Sequence, residues 1–241
     1  MLDSLIARSP DPGAVGRALE RLPAGTGDRL AADAELARAM VAVIAASRSL
    51  TRLLMVDPQA IDVLARLDAR PGLPEPEEGA EALARWKQRE HLRIAARDLL
   101  EIDHLPEVGA ALADLATDVL EVACRIAGTG NALAVIGMGK LGGRELNYSS
   151  DVDVMVVGDA NPLPVMEIAR RCFRVDTNLR PEGRSGRLVL PLAAYEAYWD
   201  RWAQPWEFQA LLKARPVAGD PALSAAFAEE YHTRDERCRR R

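Results

Sequence analysis

Hydrophobic positions recur at helical spacing through the first half of the chain. Between Glu35 and Leu54 the apolar residues mostly recur every three or four positions, in a stretch dominated by Ala, Leu and Arg, which favour helices. The same pattern returns at Glu81–Leu100 and at Leu105–Ile126. A segment with three prolines, 70–79, predicts a loop. Residues 1–128 are therefore expected to form a helical region.

One face of the helix predicted over Glu81–Leu100 carries a row of arginines. Because they recur every fourth residue, they are expected to form a single basic stripe. The simplest interpretation is a face exposed to solvent, and a docking surface is the alternative. The four residues are Arg85, Arg89, Arg93 and Arg97.

The pattern changes at residues 128–131, after which short apolar runs replace the helical periodicity. Leu133–Met138 and Asp151–Val157 are typical of buried strands, and a short helix is expected over Val165–Arg171. Residues 172–180 alternate between apolar and polar positions and predict a third strand with one polar face. A fourth strand at 187–190 and a helix over 193–212 complete an α/β region at 129–220, and 221–241 is interpreted as a tail. The expected fold class is α+β, with a helical N-terminal region followed by a small mixed sheet.

Composition excludes several classes of protein. The 241 residues carry a formal net charge of −5, so there is no global basic field that would predict nucleic acid as the main partner. Three widely spaced cysteines argue for a reducing compartment and against a disulfide framework or a zinc site. No apolar run approaches membrane-spanning length and no leader is apparent, so we expect a cytoplasmic protein without a membrane partner.

Candidate chemistry is concentrated in residues 139–154. Asp151 and Asp153 are two positions apart on a predicted strand, so their carboxylates share one face and repel each other unless a cation such as Mg²⁺ lies between them. The glycine-rich turn that precedes them can approach a phosphate closely. Asp176, on the polar face of the third predicted strand, is a candidate third ligand. The basic residues that could balance phosphate charge are Lys140, Arg144, Arg174 and Arg180.

A dinucleotide-binding module is the main competing interpretation of the same glycines. Gly137, Gly139 and Gly142 follow an apolar strand with G-x-G-x-x-G spacing, and Asp159 supplies an acidic residue at a strand end. However, only 144–150 separate the glycines from the next strand, which is too short for a parallel crossover helix. The P-loop pattern of nucleotide-binding proteins is absent.

Three motifs in this order resemble the bifunctional glutamine-synthetase adenylyltransferase/adenylyl-removing enzyme family, in wording closest to its actinobacterial branch. The resemblance extends to the helical region and covers nearly the whole chain except about the last twenty residues. The three motifs are 135–154, 175–183 and 206–220, and the similar helical stretches are 46–54 and 93–100.

The resemblance implies a polymerase-β-type nucleotidyltransferase domain. Family members carry two copies, of which the N-terminal one removes AMP from a tyrosine of glutamine synthetase by phosphorolysis and the C-terminal one adds AMP from ATP. The position after a helical region and the residues Asn147–Asp151 resemble the N-terminal copy. The implied partners are adenylylated glutamine synthetase, ADP or ATP, phosphate and a PII-type signalling protein.

The same resemblance implies the roles of individual residues. Asp151, Asp153 and Asp176 would be the catalytic carboxylates and the ligands of Mg²⁺. Lys213 and Arg215 are further candidates, with a structural ion pair as the alternative role. The implied nucleotide- and phosphate-binding set is Gly139, Lys140, Gly142, Gly143, Arg144, Ser150 and Arg180.

Two departures from the family pattern support a second hypothesis. The chain is several times shorter than family members, and the stretch between Asp153 and Asp176 is shorter than the family pattern, which has a longer helix there. The alternative to an enzyme is therefore a truncated, catalytically inactive fragment that only docks glutamine synthetase.

Overall fold

The computed structural model describes residues 1–129 and 132–239, which divide into two compact units. The first unit comprises 1–73 and 85–108, and the second comprises 74–84, 109–129 and 132–239. Residues 130 and 131, where the hydrophobic pattern changes, and residues 240 and 241 of the predicted tail lie outside the described residues. The helices are α1 Leu2–Ala7, α2 Pro12–Leu19, α3 Thr26–Ala32, α4 Ala34–Ala46, α5 Arg48–Val56, α6 Pro58–Leu64, α7 Gly79–Leu99, α8 Leu105–Ile126, α9 Gly139–Gly142, α10 Leu163–Arg170, α11 Leu192–Arg201, α12 Pro205–Leu211 and α13 Pro221–Arg239.

The first unit is helical, as its periodicity predicts. The periodic stretch from Glu35 to Leu54 forms two helices rather than one, because Ser47 adopts an extended conformation and caps α5 by accepting a hydrogen bond from Leu50 N. Asp33 caps α4 in the same way. The helices bury a common core that includes Met40, Leu54 and Leu92.

The arginine stripe of α7 is held in ion pairs, so its interpretation as a solvent-exposed face is wrong for three of the four residues. Arg85 is exposed, whereas the side chains of the other three are between 13% and 22% exposed and each bonds a carboxylate. The pairs are Arg89 with Asp57, Arg93 with Glu90, and Arg97 with Asp103. Side-chain partners elsewhere in the unit therefore neutralise most of the stripe.

A five-stranded mixed sheet forms the centre of the second unit. β1 pairs antiparallel with β2 and β5, and β2 pairs parallel with β3 and β4 along its other edge. The α+β class is confirmed. Because β1 and β2 are antiparallel, the glycine turn between them does not open a parallel β-α-β unit, and the dinucleotide-binding interpretation is excluded. The strands are β1 Leu133–Gly137, β2 Val152–Gly158, β3 Val175–Asp176, β4 Val189–Leu190 and β5 Arg215–Gly219.

Aromatic side chains cover one face of this sheet. Tyr195 and Trp199 of α11 pack with Phe227 and Tyr231 of α13 against alternate residues of β1 and β2. The Tyr195 hydroxyl donates to the carbonyl oxygen of Val156, which fixes α11 on β2. Residues 221–231, interpreted above as part of a tail, therefore contribute to the core.

Two elements differ from the sequence prediction. The alternating stretch 172–180 pairs only at Val175–Asp176, because the carboxylate of Asp176 accepts a hydrogen bond from Asn178 N (2.8 Å) and turns the chain. The helix expected over 193–212 is interrupted before Pro205 and forms α11 and α12. Within the part of the chain that the structure describes, no helix is both long enough and apolar enough to span a bilayer.

Candidate active site

Adjacent parallel strands place Asp153 and Asp176 side by side. Asp153 of β2 is in register with Asp176 of β3, and the flanking Val152 and Val154 are buried. Burial raises the pKa of the Asp153 carboxyl above its usual value, and the nearby charges of Asp176 and Asp151 raise it further, while Lys140 opposes the shift. This is the electrostatic pattern of a carboxylate cluster that favours a bound cation.

Asp151 is exposed immediately before β2 and pairs with an arginine. Its Oδ1 atom lies 2.6 Å from Nε of Arg174, whose Nη2 also donates to the carbonyl oxygen of Ser149 (3.2 Å). A cleft of about 290 Å³ is lined by Asp151, Asp176, Arg174 and Arg170, among others. Carboxylates and arginines therefore share one polar opening beside β3.

The glycine turn is in direct contact with Asp153. The chain leaves β1 at Met138 and makes the single helical turn α9, in which Gly139 has a φ of +50°. A Cβ atom on Gly139 would lie 2.8 Å from Oδ2 of Asp153, so a larger residue there would displace the carboxylate, and the φ of +50° also favours glycine. The neighbouring Lys140 is exposed. The predicted glycine turn and one predicted metal ligand are thus adjacent.

Two predicted phosphate-binding residues of this turn have structural contacts. Gly142 is buried, and a Cβ atom there would lie 1.8 Å from the carbonyl oxygen of Lys213. The guanidinium of Arg144 pairs with Asp114 of α8 at 2.8 Å. Gly143 is exposed and remains available to a ligand.

Ser150 and Arg180 are likewise used by the protein itself. The hydroxyl of Ser150 accepts a hydrogen bond from Asn147 N (3.2 Å). Arg180 donates to the carbonyl oxygens of Thr177, Arg184 and Gly186, and so holds the loop that follows β3 together. The structure brings Gly139, Lys140, Asp153 and Asp176 together, and it places Arg180 in the loop beyond them.

The donor set suits Mg²⁺ only in part. Asp153 and Asp176 supply the hard oxygen atoms that this ion prefers, and their mutual repulsion would be relieved by it. Within residues 1–129 and 132–239, however, no group of three His, Cys, Asp or Glu side chains is arranged to hold a metal ion. The pairing of Asp151 with Arg174 is consistent with this.

Several contacts around the site were not among the predicted residues. The hydrogen bond from Asn178 N fixes the carboxylate of Asp176, and the Asp-x-Asn sequence is a signal for such a turn. Thr117 and Asp114 of α8 contact Arg215 and Arg144 across long sequence separations, which no local pattern reveals.

Comparison with known proteins assigns the family. The sequence profile of the glutamate-ammonia ligase adenylyltransferase family matches residues 62–171 and 167–230. The chain belongs to this family. The two matched stretches meet at the end of α10, so the break in the match falls between β2 and β3.

Individual members of the family are similar to this chain along much of its length. The relatives bear the name bifunctional glutamine synthetase adenylyltransferase/adenylyl-removing enzyme. That of Streptomyces avermitilis is 42% identical over 85% of this chain and 24% of its own length. The relative from Streptomyces coelicolor is 47% identical over 56% of this chain and 17% of its own length. The relative from Mycolicibacterium smegmatis is 34% identical over 92% of this chain and 28% of its own length. The resemblance to the actinobacterial branch is confirmed, and the chain spans about a quarter of the length of these relatives.

Proposed function

We propose that this chain is a metal-dependent nucleotidyltransferase that removes AMP from an adenylylated tyrosine of glutamine synthetase by phosphorolysis and releases ADP. The observation that carries the proposal is the contact of the Gly139 turn with Asp153, which lies in register with Asp176, in a member of the adenylyltransferase family. Both activities appear in the relatives' name. The resemblance of residues 147–151 to the N-terminal copy favours removal.

The proposed reaction exchanges one phosphorus–oxygen bond for another. An oxygen atom of inorganic phosphate forms a bond to the phosphorus of the AMP group, the bond from that phosphorus to the tyrosine oxygen breaks, and the tyrosine oxygen takes up a proton. Such a transfer requires positioning and charge neutralisation more than covalent chemistry by the protein. The carboxylates, lysine and arginines described above suit this requirement.

Asp153 and Asp176 are the residues that would hold Mg²⁺, and Asp151 would join them on exchanging Arg174 for the ion. When bound, Mg²⁺ neutralises phosphate oxygens and favours attack at phosphorus. The exposed Lys140, next to Gly139, would pair with a phosphate group of the nucleotide. Arg170 and Arg174, which line the cleft, are placed to balance the charge of the incoming phosphate.

The wider setting follows from the same proposal. Glutamine synthetase is the protein substrate, ADP and phosphate are the small-molecule partners, and the cytoplasm is the compartment in which they meet. A PII-type signalling protein is a candidate regulator, as the family resemblance implies.

A second candidate is a non-catalytic fragment that binds glutamine synthetase without acting on it. The ion pair between Asp151 and Arg174 favours this reading, because it occupies one of the three carboxylates that the reaction would use.

One experiment separates the two candidates. The purified chain is incubated with adenylylated glutamine synthetase, Mg²⁺ and phosphate, and ADP release is followed for the wild type, Asp153→Asn and Asp159→Asn. Asp159 lies exposed just after β2 and serves as the matched control. Release by the wild type and by Asp159→Asn but not by Asp153→Asn supports the enzyme. A folded wild type that binds the synthetase without releasing ADP supports the docking fragment.

A further inference from the structure

The segment that enters β5 touches the glycine turn. Arg215 Nε donates to the carbonyl oxygen of Gly142 (3.3 Å), and its Nη2 donates to that of Leu141 (3.3 Å). The backbone of Gly142 also lies against the carbonyl of Lys213, so closely that a methyl group would not fit. The Lys213 side chain pairs with Glu145, just after the turn. Residues 213–215 therefore contact the C-terminal end of α9 and the residue that follows the turn.

One face of α8 holds both the turn and β5. Asp114, Thr117 and Glu121 are three and four residues apart, so their side chains lie on the same side of the helix. Asp114 pairs with Arg144, Thr117 Oγ1 lies 3.4 Å from Arg215 Nη2, and Glu121 Oε2 accepts a hydrogen bond from Gly219 N (3.0 Å). Arg215 is thus the side chain that connects this helix to the carbonyl groups of the turn.

From these contacts we infer that Arg215 is a positioning residue, which holds the 139–143 turn so that Gly139 stays against Asp153. The inference rests on the proposed function, since the turn is taken to bind the nucleotide phosphates. The carbonyl oxygen of Leu141 also accepts a hydrogen bond from Arg144 N (3.2 Å), and the guanidinium of Arg215 bonds it together with the carbonyl oxygen of Gly142 and the hydroxyl of Thr117. A lysine ammonium is a point charge that does not span the same three acceptors.

The partial burial of Arg215 makes its hydrogen bonds important for its stability in this position. Arg215 is half-buried, and burial together with the charge of Arg144 lowers its pKa. A buried cation beside a second cation is costly unless its donors are satisfied. The acceptors on Leu141, Gly142 and Thr117 take hydrogen bonds from its Nε and Nη2 atoms.

The experiment compares Arg215→Ala, Arg215→Lys and Thr117→Val with Arg201→Ala, a matched change at an exposed position of α11. Two quantities are measured: the Kd of ADP in the presence of Mg²⁺, and the hydrogen-exchange rates of the amides of Gly142 and Gly143 relative to those of β1. We expect Arg215→Ala to weaken ADP binding about tenfold, as loss of a supporting contact commonly does. It should accelerate exchange in the turn but not in β1. Arg215→Lys should show smaller changes in ADP affinity and in exchange of the turn than Arg215→Ala does. Arg201→Ala should change neither quantity.

Three results would overturn the positioning role of Arg215. Unchanged ADP binding and unchanged exchange of the turn in Arg215→Ala overturn the inference, as does an equal acceleration in β1 and the turn, which would show general destabilisation. Should Arg215→Ala fail to fold, wild-type behaviour of both Arg215→Lys and Thr117→Val overturns it. A wild type that binds no ADP counts against the proposed function, and the exchange rates still decide whether Arg215 holds the turn.

Discussion

Oδ2 of Asp153 lies against the backbone of Gly139, 2.8 Å from the position of a Cβ atom built on that glycine. The contact joins the glycine-rich turn to the carboxylate pair, although fourteen positions separate the two residues in the chain. Each half of the motif therefore constrains the other, because a side chain at position 139 and the carboxylate of Asp153 cannot both occupy their present positions.

Gly139→Ala should damage the site more than the fold. The methyl group would displace the Asp153 carboxylate, and the φ of +50° would cost an alanine about 1 kcal/mol of stability. We expect a loss of Mg²⁺-dependent ADP binding with a small decrease in Tm, measured by calorimetry and thermal unfolding. Gly27→Ala is the control, because Gly27 is exposed in α3, its φ lies outside the left-handed region, and a Cβ atom there would meet no other atom within 4 Å. Wild-type ADP affinity in Gly139→Ala would contradict this account.

Asp153→Asn should raise stability at neutral pH in the absence of Mg²⁺. A carboxyl whose pKa is raised in the folded state binds its proton more tightly there, so stability is greatest below its ordinary pKa and is lost as the pH rises through the raised value. The neutral amide removes the repulsion from Asp176 and Asp151. We expect Tm to rise by a few degrees at most at pH 7.

The same variant should respond differently to the cation. Mg²⁺ is expected to raise the Tm of the wild type and of the control Asp159→Asn, but not that of Asp153→Asn. A Tm of Asp153→Asn below that of the wild type in metal-free buffer would show that the carboxylate stabilises the fold.

Glu90→Ala should be among the most damaging substitutions in the first unit. Glu90 is 1% exposed, and its carboxylate accepts hydrogen bonds from Arg70 (3.0 Å) and Arg93 (2.8 Å). Removing it takes the carboxylate away from Arg93, whose side chain is only 13% exposed, and breaking such a buried pair commonly costs about 3 kcal/mol or more of unfolding free energy. Arg85→Ala, on the same helix but exposed, should change it by less than about 0.5 kcal/mol. Urea denaturation measures the unfolding free energy of both variants. Equal losses would show that the pairing of Glu90 with Arg93 adds no stability, as expected if the arginine stripe were a solvated face.

His91 should make the stability of the first unit depend on pH. Burial, assisted by the charge of Lys87, lowers the pKa of His91 to about 4, whereas an unfolded histidine titrates near 6.5. Between these values the unfolded chain binds the extra proton, so stability is lost as the pH falls, by up to about 3 kcal/mol. His91→Gln should flatten this part of the profile, and His104→Gln, at an exposed position, should not. Urea titrations between pH 4 and 7 test the difference, and parallel profiles for wild type and His91→Gln would refute it.

Features that depend on nearby residues were predictable. The helix predicted over 105–126 has the same bounds in the structure, because its amphipathic periodicity is strong. The turn and the aspartate pair were recognised from one continuous stretch. By contrast β5 was missed: Arg215–Gly219 contains a proline and little apolar alternation, and it is a strand because it pairs with β1, between 78 and 85 positions earlier in the chain.

Contacts between distant residues account for the other errors. The arginine stripe looked solvated because the partner of Arg89, Asp57, lies 32 positions away. The role of Arg215 depends on carbonyl groups 73 and 74 positions earlier. No local sequence pattern predicts either set of contacts, because the partners meet only in the folded chain.

The connection between β2 and β3 has a consequence for how this family can vary. A parallel pair needs a crossover of about a dozen residues or more, and here the eight-residue α10 and its flanking loops suffice. The two stretches matched by the family profile meet after α10. Residues inserted there would lengthen the connection between β2 and β3 without shifting Asp153 relative to Asp176. Deletions have no such freedom, since a much shorter link could not return the chain to the same edge of β2. We therefore expect insertions at this junction to be tolerated better than deletions, since the carboxylate pair sets the lower limit of length.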